Sequence, residues 1–139
     1  MKIKDLMSKN VVAAESGRSV CDVARLMREN DVGAIPVFER DVLAGIVTDR
    51  DIVLRCVAAG KDPAECTAGE IMSGGAVSVT PNQSVADAAR IMAAVKIRRL
   101  PVIDDGRLAG MVSFGDIARS RADDTEISEA ISEISSPFR

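Results

Sequence analysis

Two stretches of the chain carry side chains whose type and spacing suit ligand chemistry: Gly45-Ile46-Val47-Thr48-Asp49-Arg50-Asp51 and Gly110-Met111-Val112-Ser113-Phe114-Gly115-Asp116. In each, an apolar run ends on a hydroxyl residue and an aspartate follows three positions later. Two readings fit that spacing. Thr/Ser-x-x-Asp at a helix start is a capping box, in which hydroxyl and carboxylate satisfy two of the unpaired backbone N–H groups. The same helix start, with its free N–H groups and positive dipole end, suits an anion such as phosphate. There the hydroxyl turns toward the phosphate, and the ionised aspartate, which only accepts hydrogen bonds, suits a ribose diol. Arg98 and Arg99, just before Leu100-Pro101-Val102, are either a solvated pair or forked donors for phosphate oxygens.

Other chemistries lack their players. The sequence has no histidine, which removes the commonest general base and transition-metal ligand. Cys21, Cys56 and Cys66 follow no C-x-x-C pattern and read as free thiols in a reducing cytoplasm, so no metal site is expected. Neither a G-x-x-x-x-G-K-[ST] nor a G-x-G-x-x-G phosphate loop is present, and no enzyme is expected. Aromatic residues are 2% of the chain (Phe38, Phe114 and Phe138), so platforms for stacking nucleobases are scarce. With a net charge of −3 and a pI near 5.0, nothing draws the chain to nucleic acid or anionic membranes. The apolar runs fall short of the roughly 20 residues of a membrane span, and Met1 to Ser8 has no apolar leader.

The elements that position these residues follow from a duplication. Asp5-Leu6-Met7-Ser8 recurs as Glu70-Ile71-Met72-Ser73, displaced by 65 positions. The same displacement carries Ser19-Val20 to Ser84-Val85, Pro36-Val37 to Pro101-Val102, Leu43-Ala44-Gly45 to Leu108-Ala109-Gly110, and Asp51-Ile52 to Asp116-Ile117. A register held without gaps over some fifty positions marks a repeated unit. In each copy a β-rich run (residues 11–14; 76–79) precedes a Ser-x-x-Asp box at 19–22 or 84–87. Val20, Val23, Ala24 and Met27, like Val85, Ala88, Ala89 and Met92, then recur at helical spacing. Two short apolar strands follow, joined by Glu39-Arg40-Asp41 in one copy and by Asp104-Asp105-Gly106 in the other. A second helix begins near Asp49 and near Phe114. The fold class is α/β (α+β), two β-α-β-β-α motifs. Each is too small to be stable alone, which favours a shared core. The expected boundaries are 1–57 and 70–121 for the motifs and 58–69 for a linker. At 122–139 a tail carries Ile127, Ala130, Ile131 and Ile134 at the spacing of a short amphipathic helix.

The duplicated block, with Ile35-Pro36-Val37, Arg99-Leu100-Pro101-Val102 and the two Gly-h-h-Thr/Ser-x-x-Asp segments, resembles a tandem pair of CBS domains (a Bateman module), similar to the small stand-alone CBS-pair proteins of bacteria. The resemblance covers residues 3 to 121. It implies an intramolecular pseudo-two-fold pair with a cleft on either side, a homodimer, and a non-catalytic regulatory or sensor role. It further implies an adenosine-containing ligand: AMP, ADP, ATP or S-adenosylmethionine. Carried over by position, one cleft would hold Thr48 and Asp51, with Ala76, Val77 and Ser78 against the adenine and Arg98, beside Arg99, near the phosphates. The other would hold Ser113 and Asp116, with Val11, Val12 and Ala13 against the base. Gly33 and Ala34 stand where the second copy has Arg98 and Arg99, so the Thr48/Asp51 cleft is expected to favour phosphorylated ligands. The alternative is a ligand-free module that dimerises or docks a protein partner.

Overall fold

A computed structural model describes residues 1–73, 75 and 77–120. Ala76, of the expected second β-run, and the expected tail helix at 122–139 lie outside the described residues. The chain divides into two compact units, one formed by Asn10–Val77 and the other by Met1–Lys9 together with the chain from Ser78 onward.

The unit Asn10–Val77 contains β1 (Ala14–Glu15), α1 (Val20–Asn30), β2 (Ala34–Glu39), β3 (Val42–Thr48), α2 (Asp49–Ile52) and α3 (Ala68–Ile71). A π-helical turn, Val53–Val57, prolongs α2. β2 and β3 pair antiparallel, and β1 lies parallel to β2, with Ala14 beside Val37. The strand expected at residues 11–14 is therefore confined to Ala14 and Glu15. Pro36 explains it: one step back along the ladder β1 would face a residue with no N–H to donate. α1 presents Val20, Val23 and Met27 to Ile35, Val37 and Val47 of the sheet, and Cys56, Cys66, Ala68 and Ile71 complete this core.

The second unit repeats the plan with α4 (Val85–Val95), β4 (Arg99–Asp104), β5 (Arg107–Ser113) and α5 (Phe114–Arg119). The strand expected at 76–79 shrinks to a parallel bridge from Val79 to Val102, for the same reason at Pro101. Val85, Ala88, Ala89 and Met92 of α4 are buried, as are Leu100, Val102, Val112 and Ile117.

Both hairpins turn through two residues at positive φ, Arg40 and Asp41 in one and Asp105 and Gly106 in the other. This is the mirror-image turn whose twist matches paired strands. The two Ser-x-x-Asp boxes are only half formed. Ser19 and Ser84 accept from the N–H of Asp22 and Asp87 at 3.0 Å, but the carboxylates turn outward to Arg25 and Arg90.

The segments that precede the repeats pack crosswise in sequence. Residues 66–73 belong to the first unit, where the Ala68 and Gly69 N–H groups donate to Arg18 and Ser16 carbonyls and the Val20 N–H donates to that of Cys66. Residues 1–8 make the matching bonds in the second unit: Ile3 N–H to Gln83, Lys4 N–H to Pro81, and Val85 N–H to Met1. Each repeat is thus completed by the segment that leads into the other.

Candidate functional site

Thr48 and Asp51 come together as a complete capping box at the start of α2. The Asp51 N–H donates to Thr48 Oγ1 at 3.1 Å, and the Thr48 N–H donates to Asp51 Oδ2 at 2.9 Å. Ser113 and Asp116 build the same box at α5, with distances of 3.0 and 2.9 Å. Capping is therefore part of what these residues do. It also leaves chemistry unspent. Each hydroxyl oxygen accepts from the helix, so its own proton is available to donate, and each carboxylate commits one oxygen to the cap and keeps a second.

The two carboxylates differ in their surroundings. Asp51 is 8% exposed and is the one buried polar or charged residue among the described residues. Ser73 Oγ donates to its Oδ2 at 3.0 Å and lies 3.3 Å from Oδ1, with Arg55 Nε at 3.8 Å from Oδ1. Asp116 has a 19% exposed side chain, and its Oδ1 accepts from Arg119 at 2.7 Å. Ser73, Arg55 and Arg119 are not among the residues that spacing alone singled out. Their signal in the sequence is faint: a Met-Ser pair shared by both repeats, and an arginine one turn after each aspartate.

The glycines that open both segments have a steric role. A Cβ on Gly45 would stand 3.0 Å from Met72 Sδ and 3.1 Å from the Ser73 carbonyl oxygen. On Gly110 it would stand 2.6 Å from the Ser8 carbonyl oxygen and 2.9 Å from Met7 Sδ. The Met-Ser segments cross β3 and β5 at these glycines, with Ser73 bonded both ways to Ile46 and Ser8 to Met111.

The remaining expected residues divide between the units. Val12, Ala13 and Val77 belong to the unit of Thr48 and Asp51, where Val12 packs against the core, Ala13 is exposed and Val77 is half-buried. Ser78, Arg98 and Arg99 belong to the unit of Ser113 and Asp116. There the Phe114 N–H donates to the Arg98 carbonyl at 2.7 Å, Arg99 pairs with Ser113 across the strands, and the Arg98 guanidinium lies 5.3 Å from the Phe114 ring centre. Within their own unit the two arginines thus flank the Ser113 cap. At the matching place in the first unit, Gly33 offers its carbonyl to the Asp49 N–H.

Two of the three thiols lie in the core. Cys56 and Cys66 are buried, and burial, reinforced by the Glu70 carboxylate that accepts from Cys66 Sγ at 3.3 Å, pushes the Cys66 thiol up to about 11. Among the described residues no three His, Cys, Asp or Glu side chains are grouped to hold a metal ion, and no helix is long and apolar enough to cross a membrane.

Comparison with known proteins agrees with this architecture. The family profile of the CBS domain matches twice, at residues 3–57 and 68–123. The CBS domain-containing protein YhcV of Bacillus subtilis is 41% identical over 133 residues, 96% of this chain and 94% of that protein. Hypoxic response protein 1 of Mycobacterium tuberculosis is 39% identical over 117 residues, 84% of this chain and 82% of its own length. A crystal structure of Hypoxic Response Protein I with two coordinated zinc ions matches with a TM-score of 0.75 and 38% identity, over 86% of this chain and 98% of that one. The CBS domain pair of protein MJ0100, in complex with 5′-methylthioadenosine and S-adenosyl-L-methionine, matches with a TM-score of 0.74 and 29% identity, over 86% of this chain and 98% of its own. With both repeats matched and a relative aligned along nearly its whole length, the chain belongs to the CBS-domain family and carries two CBS motifs.

Proposed function

We propose that this CBS pair is a regulatory sensor that binds an adenosine-containing ligand (AMP, ADP, ATP or S-adenosylmethionine) through Thr48 and Asp51, with Ser113 and Asp116 forming a second, weaker site. One observation carries the reading: Asp51 is a buried carboxylate whose Oδ2 is committed to the helix cap while Oδ1, met only at longer range by Ser73 Oγ at 3.3 Å and Arg55 Nε at 3.8 Å, keeps capacity to accept. A ribose diol supplies two O–H donors to such an oxygen, and the Thr48 hydroxyl has its proton left for a phosphate or polar tail. The adenosine ligands held by the MJ0100 pair support this choice of ligand class. The forked guanidinium donors of Arg98 and Arg99 suit the phosphate end of such a ligand.

The proposed role is non-catalytic. The ligand acts by binding one conformational state of a homodimer better than another, and a protein partner reads the difference. Val53, Leu54 and Val57, between 48% and 63% exposed on the turn after Asp51, suit the homodimer contact.

Calorimetry and thermal shift with AMP, ATP and S-adenosylmethionine test the proposal. Occupancy at a hundred times Kd adds about 2.7 kcal/mol of stability, a clear rise in melting temperature. Asp51→Asn should abolish most of that rise and Asp116→Asn little of it. A flat response of the unaltered chain at millimolar ligand would overturn the proposal and leave a ligand-free docking module.

A further inference from the structure

We infer that Ser73 is a positioning residue for Asp51, and that it makes the Thr48/Asp51 site the selective site for a vicinal diol; the inference rests on the ligand reading above. Asp51 Oδ2 receives two donors, the Thr48 N–H at 2.9 Å and the Ser73 hydroxyl at 3.0 Å. The hydroxyl sits nearer Oδ2 but is also 3.3 Å from Oδ1, and with the Thr48 N–H it fixes the plane of the carboxylate. Ser73 is itself held in place. Its N–H donates to the Ile46 carbonyl and its carbonyl accepts from the Ile46 N–H, both at 2.8 Å. The segment passes close to the strand at Gly45, where a Cβ would lie 3.1 Å from the Ser73 carbonyl oxygen. The paired backbone bonds between Ile46 and Ser73 therefore set the direction of the acceptor a diol would meet.

The second unit has the parts of this arrangement but connects them differently. Ser8 occupies the matching place, with the same pair of backbone bonds to Met111 at 2.8 and 3.0 Å. Among the described residues, its exposed hydroxyl makes no bond to Asp116. The outer oxygen of Asp116 instead accepts from Arg119. Gly115 makes room for that arginine, since a Cβ there would lie 3.2 Å from Arg119 Nη1. Leu54 and Arg50 fill the corresponding positions of the first unit, and the guanidinium that approaches Asp51, that of Arg55, stands farther off, with Nε 3.8 Å from Oδ1. Asp51 is presented to a diol, whereas the acceptor of Asp116 is already occupied.

The test compares AMP with 2′,3′-dideoxy-AMP on the full chain and on the Ser73→Ala, Ser73→Thr and Ser8→Ala variants. Ser73→Ala should weaken AMP binding about tenfold, equivalent to ~1.4 kcal/mol, and leave the dideoxy analogue unchanged. Ser73→Thr, which keeps the hydroxyl, should restore AMP binding, and Ser8→Ala should alter neither ligand. Equal losses for both nucleotides would mean a purely structural role and overturn the inference, as would no loss at all. A second readout needs no ligand: the Asp51 carboxyl 13C resonance should move in Ser73→Ala and stay put in Ser8→Ala. An unmoved resonance overturns the positioning role. A moved resonance in a chain that binds neither nucleotide upholds it and refutes the adenosine reading instead.

Discussion

Gly110→Ala should be among the most damaging single-methyl additions this chain can receive, and Gly45→Ala, its counterpart in the other repeat, should be nearly harmless. A Cβ at 110 would lie 2.6 Å from the Ser8 carbonyl oxygen, inside the 3.0 Å that real Cβ contacts respect. That oxygen is backbone and cannot rotate away. It accepts from the Met111 N–H at 3.0 Å while the Ser8 N–H donates to the Met111 carbonyl at 2.8 Å, so relieving the clash strains or breaks both bonds. Overpacking of this kind costs about 1–3 kcal/mol and each lost hydrogen bond about 0.5–1.5. Replacing a strand glycine by alanine returns about 0.5–1 kcal/mol of chain entropy. The net is a loss of about 2–4 kcal/mol, or roughly 5–12 °C in Tm for a chain of this size. At Gly45 the nearest atom, Met72 Sδ at 3.0 Å, is the far end of a flexible side chain, and the backbone oxygen stands off at 3.1 Å. There the steric cost of about 1 kcal/mol is largely offset by the entropy gain. Urea and thermal denaturation of the two variants measure the difference. Adding Met7→Ala to Gly110→Ala separates the contributors and should recover little, because the Ser8 carbonyl remains. Equal effects at the two glycines, or full rescue by Met7→Ala, would refute the steric account.

Two further outcomes are expected. Asp41 sits at φ 64° in its hairpin turn where the other repeat has Gly106 at φ 77°, so Asp41→Gly should stabilise the chain by about 0.5–1 kcal/mol and Gly106→Asp should do the reverse, both read from urea midpoints. Burial raises the folded-state Cys66 thiol from 9.0 to about 11, so above pH 9 the unfolded chain loses a proton that the folded chain keeps. The contribution of that thiol is fully present below pH 9 and lost as pH rises through about 11. Cys66→Ala should therefore flatten the alkaline fall in stability; parallel slopes for the two proteins between pH 8 and 11 would contradict this.

Much of this architecture was legible in the residues because the chain says everything twice. The helix stripes at Val20–Met27 and Val85–Met92, the hairpins, and the hydroxyl-aspartate helix starts all lie where periodicity and turn chemistry put them. Three features were not legible, because contacts outside the local motif decide them. Ser19-x-x-Asp22 and Thr48-x-x-Asp51 have the same spacing, yet only the second closes reciprocally. Asp22, with a 41% exposed side chain, is drawn outward between Arg18 and Arg25, while Asp51 is buried under Ser73. The leading β-runs hold fewer strand residues than their composition promises, because their ladders stop at Pro36 and Pro101. Ser73 lies 22 positions from the carboxylate it touches, and no local pattern links them.

The two capping boxes also separate what duplication preserved from what it left free to change. Both helix starts keep the backbone bonds of the cap at 2.9–3.1 Å, so whatever holds the helix in place has been retained in both units. Among the many positions at which the repeats differ are those that meet the remaining carboxylate oxygen or the helix entrance: Asp49 against Phe114, Arg50 against Gly115, Leu54 against Arg119, Gly33 against Arg98. A carboxylate that only had to cap would tolerate either neighbour equally. On the function proposed above, Asp51, buried and aimed by a hydroxyl, takes the ligand, and Asp116, more open and met by a guanidinium, is the weaker acceptor.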